Sequence, residues 1–146
     1  ELFDPRRFKV AEFLNEAPLS VGMGDVSKVV ITEDGAAVEF LRDTFGEGEA
    51  FTCGGAAVNM EQFTTLYVNI MALTAEGYDP GNTGGTPHLT IMLELKDKSQ
   101  TITVQFVKRD ELSYYMILNG KPRPFYTGER KIDLIKRWRD RIIEGI

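Results

Sequence analysis

The sequence predicts an α+β domain: a largely antiparallel, twisted sheet with two main helices packed on one face. Two segments, Leu89–Leu95 and 101–107, alternate cleanly between apolar and polar residues, as strands with one buried and one wet face must. Two others, 60–74 and the C-terminal stretch with Ile135, Trp138 and Ile142, repeat their apolar residues at helical spacing. Between them lie turns rich in Gly, Asn and Asp, which puncture the chain into short antiparallel pieces.

In chain order, Asp4-Pro5 is a helix-start signal, and Phe8, Ala11 and Leu14 extend it to a short helix at 5–15 before Ala17-Pro18. Residues 1–24 form an N-terminal connecting segment, and 25–146 form the α+β core of a single domain. Segments 26–32 and Ala36–Arg42 flank Glu33-Asp34-Gly35 and predict a hairpin. A loop at 45–49 precedes a short strand at 50–53. Asn59 offers an N-cap oxygen to a helix over 60–74, whose stripe is Phe63, Leu66, Tyr67, Ile70 and Leu73, with Gly77 as its left-handed C-terminal residue. From 77 to 87, Gly, Pro, Asn and Thr predict a loop, the most mobile element of the chain.

The meander then begins. Leu89, Ile91, Leu93 and Leu95 oppose Thr90, Met92 and Glu94, and Ile102, Val104 and Phe106 oppose Thr103 and Gln105. Strand 114–118 is apolar on both faces, so something must cover its second face; Phe3, Phe8 and Phe13 of the N-terminal segment are the nearest unassigned apolar material. Asn119-Gly120 turns the chain toward Pro124-Phe125-Tyr126 and the closing helix. The offset from Arg42-Asp43 to Arg109-Asp110 nearly equals that from Glu76-Gly77 to Glu144-Gly145, so the chain also accommodates two ββ(β)α half-repeats.

Composition bounds the function. At 146 residues the chain suits one domain that buries roughly two thirds of its unfolded surface. No stretch approaches the ~18 apolar residues that cross a bilayer. Starting at Glu1 without a leader, it is expected to be a processed product or a portion of a longer chain. Its net charge of −5 is asymmetric: residues 101–146 hold ten Lys/Arg against six Asp/Glu, a surplus of +4 that leaves −9 elsewhere. That pattern argues against nucleic-acid binding, which favours a basic domain.

The chemistry-bearing residues are few. Cys53 is the only cysteine and His88 the only histidine, so an intrachain disulfide, a cysteine zinc site and a two-imidazole site are excluded. Cys53 is expected as a small buried hydrophobe and His88 as a surface residue opening a strand. The run Gly81-Asn82-Thr83-Gly84-Gly85 lacks the Lys-Ser/Thr of a phosphate loop and leads into a strand, not a helix. Asp43, Glu47 and Glu49 lack calcium-loop spacing, and Lys136, Arg137, Arg139 and Arg141 are expected on a solvated helix face, with anionic lipid contact as the alternative. No catalytic, metal or cofactor residue is therefore assigned. The candidate partner- or ligand-binding residues are Tyr78, Asp79 and Asn82 in the loop, and Thr90, Glu94, Thr103 and Gln105 on the wet strand face.

Asp25-Val26-Ser27-Lys28-Val29-Val30-Ile31 opening the first hairpin, the Phe63 to Leu73 helix, Tyr114-Tyr115 with Asn119-Gly120, and a short strand before a terminal helix together resemble the bacterial family called domain of unknown function 4340. The resemblance runs from about residue 25 to the end, with Phe8 to Asn15 similar to the segment that precedes a unit. It implies a non-catalytic extracytoplasmic domain of a membrane-anchored or lipoprotein-like chain, an auxiliary part of an ABC-type transport system whose partners are transporter subunits. Any membrane link would run through an anchor outside these residues. Two other classes stay open: a small carboxylate-based enzyme of the glycan-processing kind, with Asp79 and Glu94 converging in a cleft, and a soluble intracellular adaptor.

Overall fold

A computed structural model describes residues 21–43, 50–96 and 100–146. The helix expected at 5–15, the apolar Phe3, Phe8 and Phe13, and the loop carrying Glu47 and Glu49 lie outside the described residues. A 3-10 turn, Met23–Asp25, leads into β1 (Val26–Glu33) and β2 (Ala36–Arg42). Then follow β3 (Phe51–Cys53), β4 (Ala56–Ala57), α1 (Met60–Met71) and β5 (Gly77–Tyr78). The second half holds β6 (Leu89–Leu95), β7 (Thr101–Asp110), β8 (Ser113–Leu118), β9 (Lys121–Gly128) and α2 (Glu129–Glu144).

Nine strands form one antiparallel sheet in the order β4-β3-β2-β1-β6-β7-β8-β9-β5. Its turns use the residues their geometry demands. Asp34-Gly35, Gly54-Gly55 and Asn119-Gly120 all have positive φ, the conformation of a two-residue hairpin whose twist matches the strands it joins. Both outer strands are two residues long, which leaves little unpaired backbone at either edge.

The order of elements is nearly symmetric about the β1–β6 seam. β1 to β4 run outward on one side and β6 to β9 on the other, each run followed by a helix, so the two half-repeats admitted by the sequence correspond to these two runs, with β5 added at the far edge of the second. Both helices lie on the same sheet face. Phe63, Leu66 and Ile70 of α1 and Ile132, Ile135 and Ile142 of α2 are fully or nearly fully buried in one core with Val29, Ile31, Phe40, Leu89, Ile91, Leu93, Val104 and Phe106. Burial of each such side chain contributes about 1.5–3 kcal/mol. Phe63 stacks on Phe51 with ring centres 4.3 Å apart and meets Phe40 at 5.3 Å, tying α1 to the first half of the sheet.

Several boundaries differ from expectation, each for a tertiary reason. Asn59 does cap α1, accepting from Gln62 N at 3.0 Å, but the helix ends at Met71. Gly77 is not its cap. It sits in β5 opposite Tyr126, and a β-carbon there would lie 2.3 Å from the Tyr126 ring, so glycine is required by close approach instead of by positive φ. The inner stripe of α2 is Ile132, Ile135, Arg139 and Ile142; Trp138 is only partly buried at its margin. Arg139, expected in solvent, is 8% exposed because its guanidinium reaches Glu33 at the end of β1, 2.8 Å away. Cys53 is half-buried rather than enclosed, and its burial pushes the thiol pKa up.

Candidate functional site

The sheet face opposite the helices has two unlike halves. On the β8–β9 side it is covered by the segment between β5 and β6. Asp79 accepts from Arg109 Nε at 2.8 Å, Tyr115 OH at 2.9 Å and Gly81 N at 2.9 Å. The Arg109 guanidinium lies 3.9 Å from the centre of the Tyr126 ring. Asn82 donates to Met116 O and Arg123 O at 3.1 and 2.8 Å, while its Oδ1 accepts from Gly84 N at 3.0 Å. Gly84 then lies against Pro122 and Gly85 against Val107. Beneath this strap Val107 and Ile117 are 8% and 6% exposed. The cover that the apolar 114–118 strand requires is thus supplied by the loop itself.

Hydrogen bonds from Arg109, Gly81 and Tyr115 hold the Asp79 carboxyl at a pKa of about 2. Asp79 and Asn82 are consequently spent on internal contacts. Tyr78 belongs to β5 and points to the core side, its ring edge-on to Phe125 at 5.9 Å. The three residues expected to face a partner from a mobile loop instead fasten that segment to the sheet.

The other four expected residues do share one face. Thr90 stands opposite Gln105, Met92 opposite Thr103, and Glu94 opposite Thr101, while Lys28, Val30 and Thr32 of β1 continue the same rows. Glu39 and Leu41 of β2 extend them outward, and Leu41 is 46% exposed. Lys28 Nζ lies 3.4 Å from Glu94 and 3.7 Å from Glu39. The outcome is a shallow lattice with Val30 and Met92 at its centre, ringed by threonines, Gln105 and one lysine between two glutamates. No described residue lies across it. The chain reaches β1 from the helix side, where Tyr67 OH donates to Val21 O at 2.6 Å and Val21 N meets Met71 Sδ at 3.3 Å.

A carboxylate pair does not form between Asp79 and Glu94. Glu94 is opposite Thr101, whereas Asp79 is held by Arg109, eight residues further along β7. That is about 26 Å at strand rise, against the ~5–9 Å that glycoside chemistry uses.

A third cluster was not foreseen as a unit. Glu33 and Asp34 at the first hairpin and His88 before β6 bring one ligand atom each to within 4.8 Å of one another. His88 Nδ1 lies 2.9 Å from Asp34, its Nε2 is in hydrogen-bond contact with Lys136 Nζ, and its ring stacks on Tyr114 at 5.6 Å. Lys136 is also 3.4 Å and Arg139 2.8 Å from Glu33. Burial works to raise the Glu33 pKa, but the Arg139 hydrogen bond and the Lys136 charge outweigh it and hold it below the usual value. A divalent cation would have to evict an ammonium and share Glu33 with a guanidinium, so the cluster acts as an ion network latching α2 to the sheet. His88 is its hub, and not a free surface residue. Nothing adjacent in sequence announces it, since its members come from β1, the β1–β2 turn, the β6 approach and α2.

Among the described residues, two surface depressions lie beside the helices. One of about 480 Å³ is lined by Glu76, Leu112, Gly128, Glu129, Arg130 and Asp133. The other, about 290 Å³, is lined by Asn59, Glu61, Gln62, Thr65, Trp138 and Arg141. Neither brings together a nucleophile and a base.

The chain matches no family model, no curated protein and no solved structure.

Proposed function

We propose that this chain is a binding and structural domain rather than an enzyme, and that the half of its sheet face which no described residue covers, around Thr90, Glu94, Thr103 and Gln105, is the surface it offers to a protein partner. In keeping with the family resemblance, it works outside the cytoplasm as part of a membrane-anchored chain, an auxiliary component of an ABC-type transport system. The observation that carries the reading is the contrast on one sheet face: half is strapped down by 79–87, half is left with Val30 and Met92 at the centre of a polar lattice. An apolar centre with a polar rim is the anatomy of a protein-binding patch.

Two measurements test it. Fractionation of the native full-length protein with protease shaving of intact cells is expected to find it sedimenting with membranes and cut from outside; a soluble, protected protein would leave the intracellular adaptor in its place. A photo-crosslinking residue at Thr103 is expected to capture a transporter subunit, while one at Leu112, 74% exposed but off the lattice, is not. Equal labelling from both positions would sink the assigned surface.

A further inference from the structure

The outward face of the helix layer has a charge pattern that the sheet face does not share. Arg130, Leu134, Arg137 and Arg141 follow one another at four-, three- and four-residue intervals, so they form one stripe along α2, opposite the inward Ile132, Ile135, Arg139 and Ile142. All four are exposed. The other cations of the helix are engaged: Lys131 with Glu76, Lys136 with Glu33 and Asp133, Arg139 with Glu33 and Asp140. Among the described residues the three stripe arginines form no ion pair; Arg141 only covers the Trp138 ring, 4.9 Å from its centre. Asp133 and Asp140, on the other outer flank, already have their cations. Antiparallel beside the stripe runs α1, where Val68 is 59% exposed.

We infer that this stripe is a docking surface for an anionic lipid bilayer. The occupant follows from charge complementarity and form: guanidinium groups in a straight row, with Leu134 among them and Val68 exposed on the neighbouring helix, suit the headgroup boundary, where charge meets phosphate and short apolar side chains reach the acyl region. A third observation agrees. Val21 lies against Tyr67 and Met71 of α1, so the chain reaches the described fold from the helix side. With that side on the membrane, the bare sheet lattice faces away from it, open to a partner.

The inference rests on the proposed membrane-attached role, because the attraction is weak. Each basic residue near an anionic surface raises partitioning about fivefold, so three give about a hundredfold, enough to orient a tethered domain and to partition a free one only where lipid is abundant and salt low. The contact is salt-sensitive, since screening at physiological ionic strength acts over about 8 Å.

The test is flotation of the whole 146-residue chain with vesicles of phosphatidylcholine alone or with one third phosphatidylglycerol, at millimolar lipid and low salt. Partitioning is expected to be about a hundredfold higher on the anionic vesicles and to fall as salt rises. The triple variant R130Q/R137Q/R141Q, whose fold circular dichroism checks, is expected to lose most of that gain, and Lys28→Gln on the sheet face to keep it. Equal partitioning on both vesicles, or a gain that survives the triple variant, overturns the inference. So does binding to soluble polyglutamate without vesicle binding, which would assign the stripe to an acidic protein. Protease shaving reports location independently, so a failed flotation leaves the extracytoplasmic reading standing, and a cytosolic location leaves the lipid chemistry of the stripe to be judged by flotation alone.

Discussion

The outer sheet face holds two regions built from the same pleated strands: over β8 and β9 the described residues cover it, whereas over β1 and β6 none of them does. Over the first region the 79–87 strap buries Ile117 and Val107; over the second, Val30, Met92 and Thr32 keep partial exposure and Leu41 of neighbouring β2 is nearly half exposed. The cause is topological. α1 carries the chain from the β4 edge to the opposite edge, where β5 pairs with β9, and the next strand, β6, lies back at the centre. Four strand spacings, about 19 Å, separate β5 from β6, and the connection must cross β9, β8 and β7 to close them. Since the helices occupy one face, the chain takes the other. The difference teaches that a covered sheet face can be a by-product of connectivity, and that the half no described residue covers is the better candidate for an outside partner.

Matched truncations test this contrast most directly. Ile117→Ala, under the strap, is expected to cost about 2–4 kcal/mol, whereas Met92→Ala, on the bare lattice, is expected to cost less than about 1 kcal/mol, both read from urea denaturation midpoints. Equal losses would mean that the lattice is covered too. Next in size, Gly77→Ala places a β-carbon into the Tyr126 ring and forces it off Arg109. A loss of about 2 kcal/mol is expected, with faster amide exchange confined to β5, the strap and β9.

The strap also has a built-in acid response. Asp79 has its pKa lowered to about 2 in the folded state, so its contribution is fully present above the ordinary carboxylate pKa and is lost as pH falls through that range toward 2. Amide exchange of 79–87 is expected to accelerate over that window in the native chain. Asp79→Asn is expected to loosen the strap at neutral pH and to flatten the acid dependence; an unchanged profile would show that the carboxylate does not hold it. The smallest effect belongs to the lattice. A double-mutant cycle on Lys28 and Glu94, half-buried partners 3.4 Å apart, is expected to give under about 1 kcal/mol of coupling, yet Glu94→Gln is expected to weaken crosslinking from Thr103.

Much of this molecule was legible in its sequence. The alternation in Leu89–Leu95 and 101–107, the Asp-Gly and Asn-Gly turns, Asn59 as a cap and the Phe63 to Ile70 stripe are local signals, and local backbone physics turns each into the element it predicts. The grouping of Thr90, Thr103 and Gln105 on one face follows from the same two-residue period once β6 and β7 pair. Tertiary structure decided the rest, because pairing partners distant in sequence leave no periodic trace. That Gly77 needs its missing side chain because Tyr126 lies over it, and that Asp79 and Asn82 are fasteners instead of lures, depend on β5 joining the far edge beside β9. That Arg139 is buried while Arg137 stays in solvent depends on Glu33 ending β1 beneath α2. Helical spacing puts Arg139 in line with Ile135 and Ile142, and its charge alone argues for solvent; an anion at a strand end supplies the partner that makes its burial affordable.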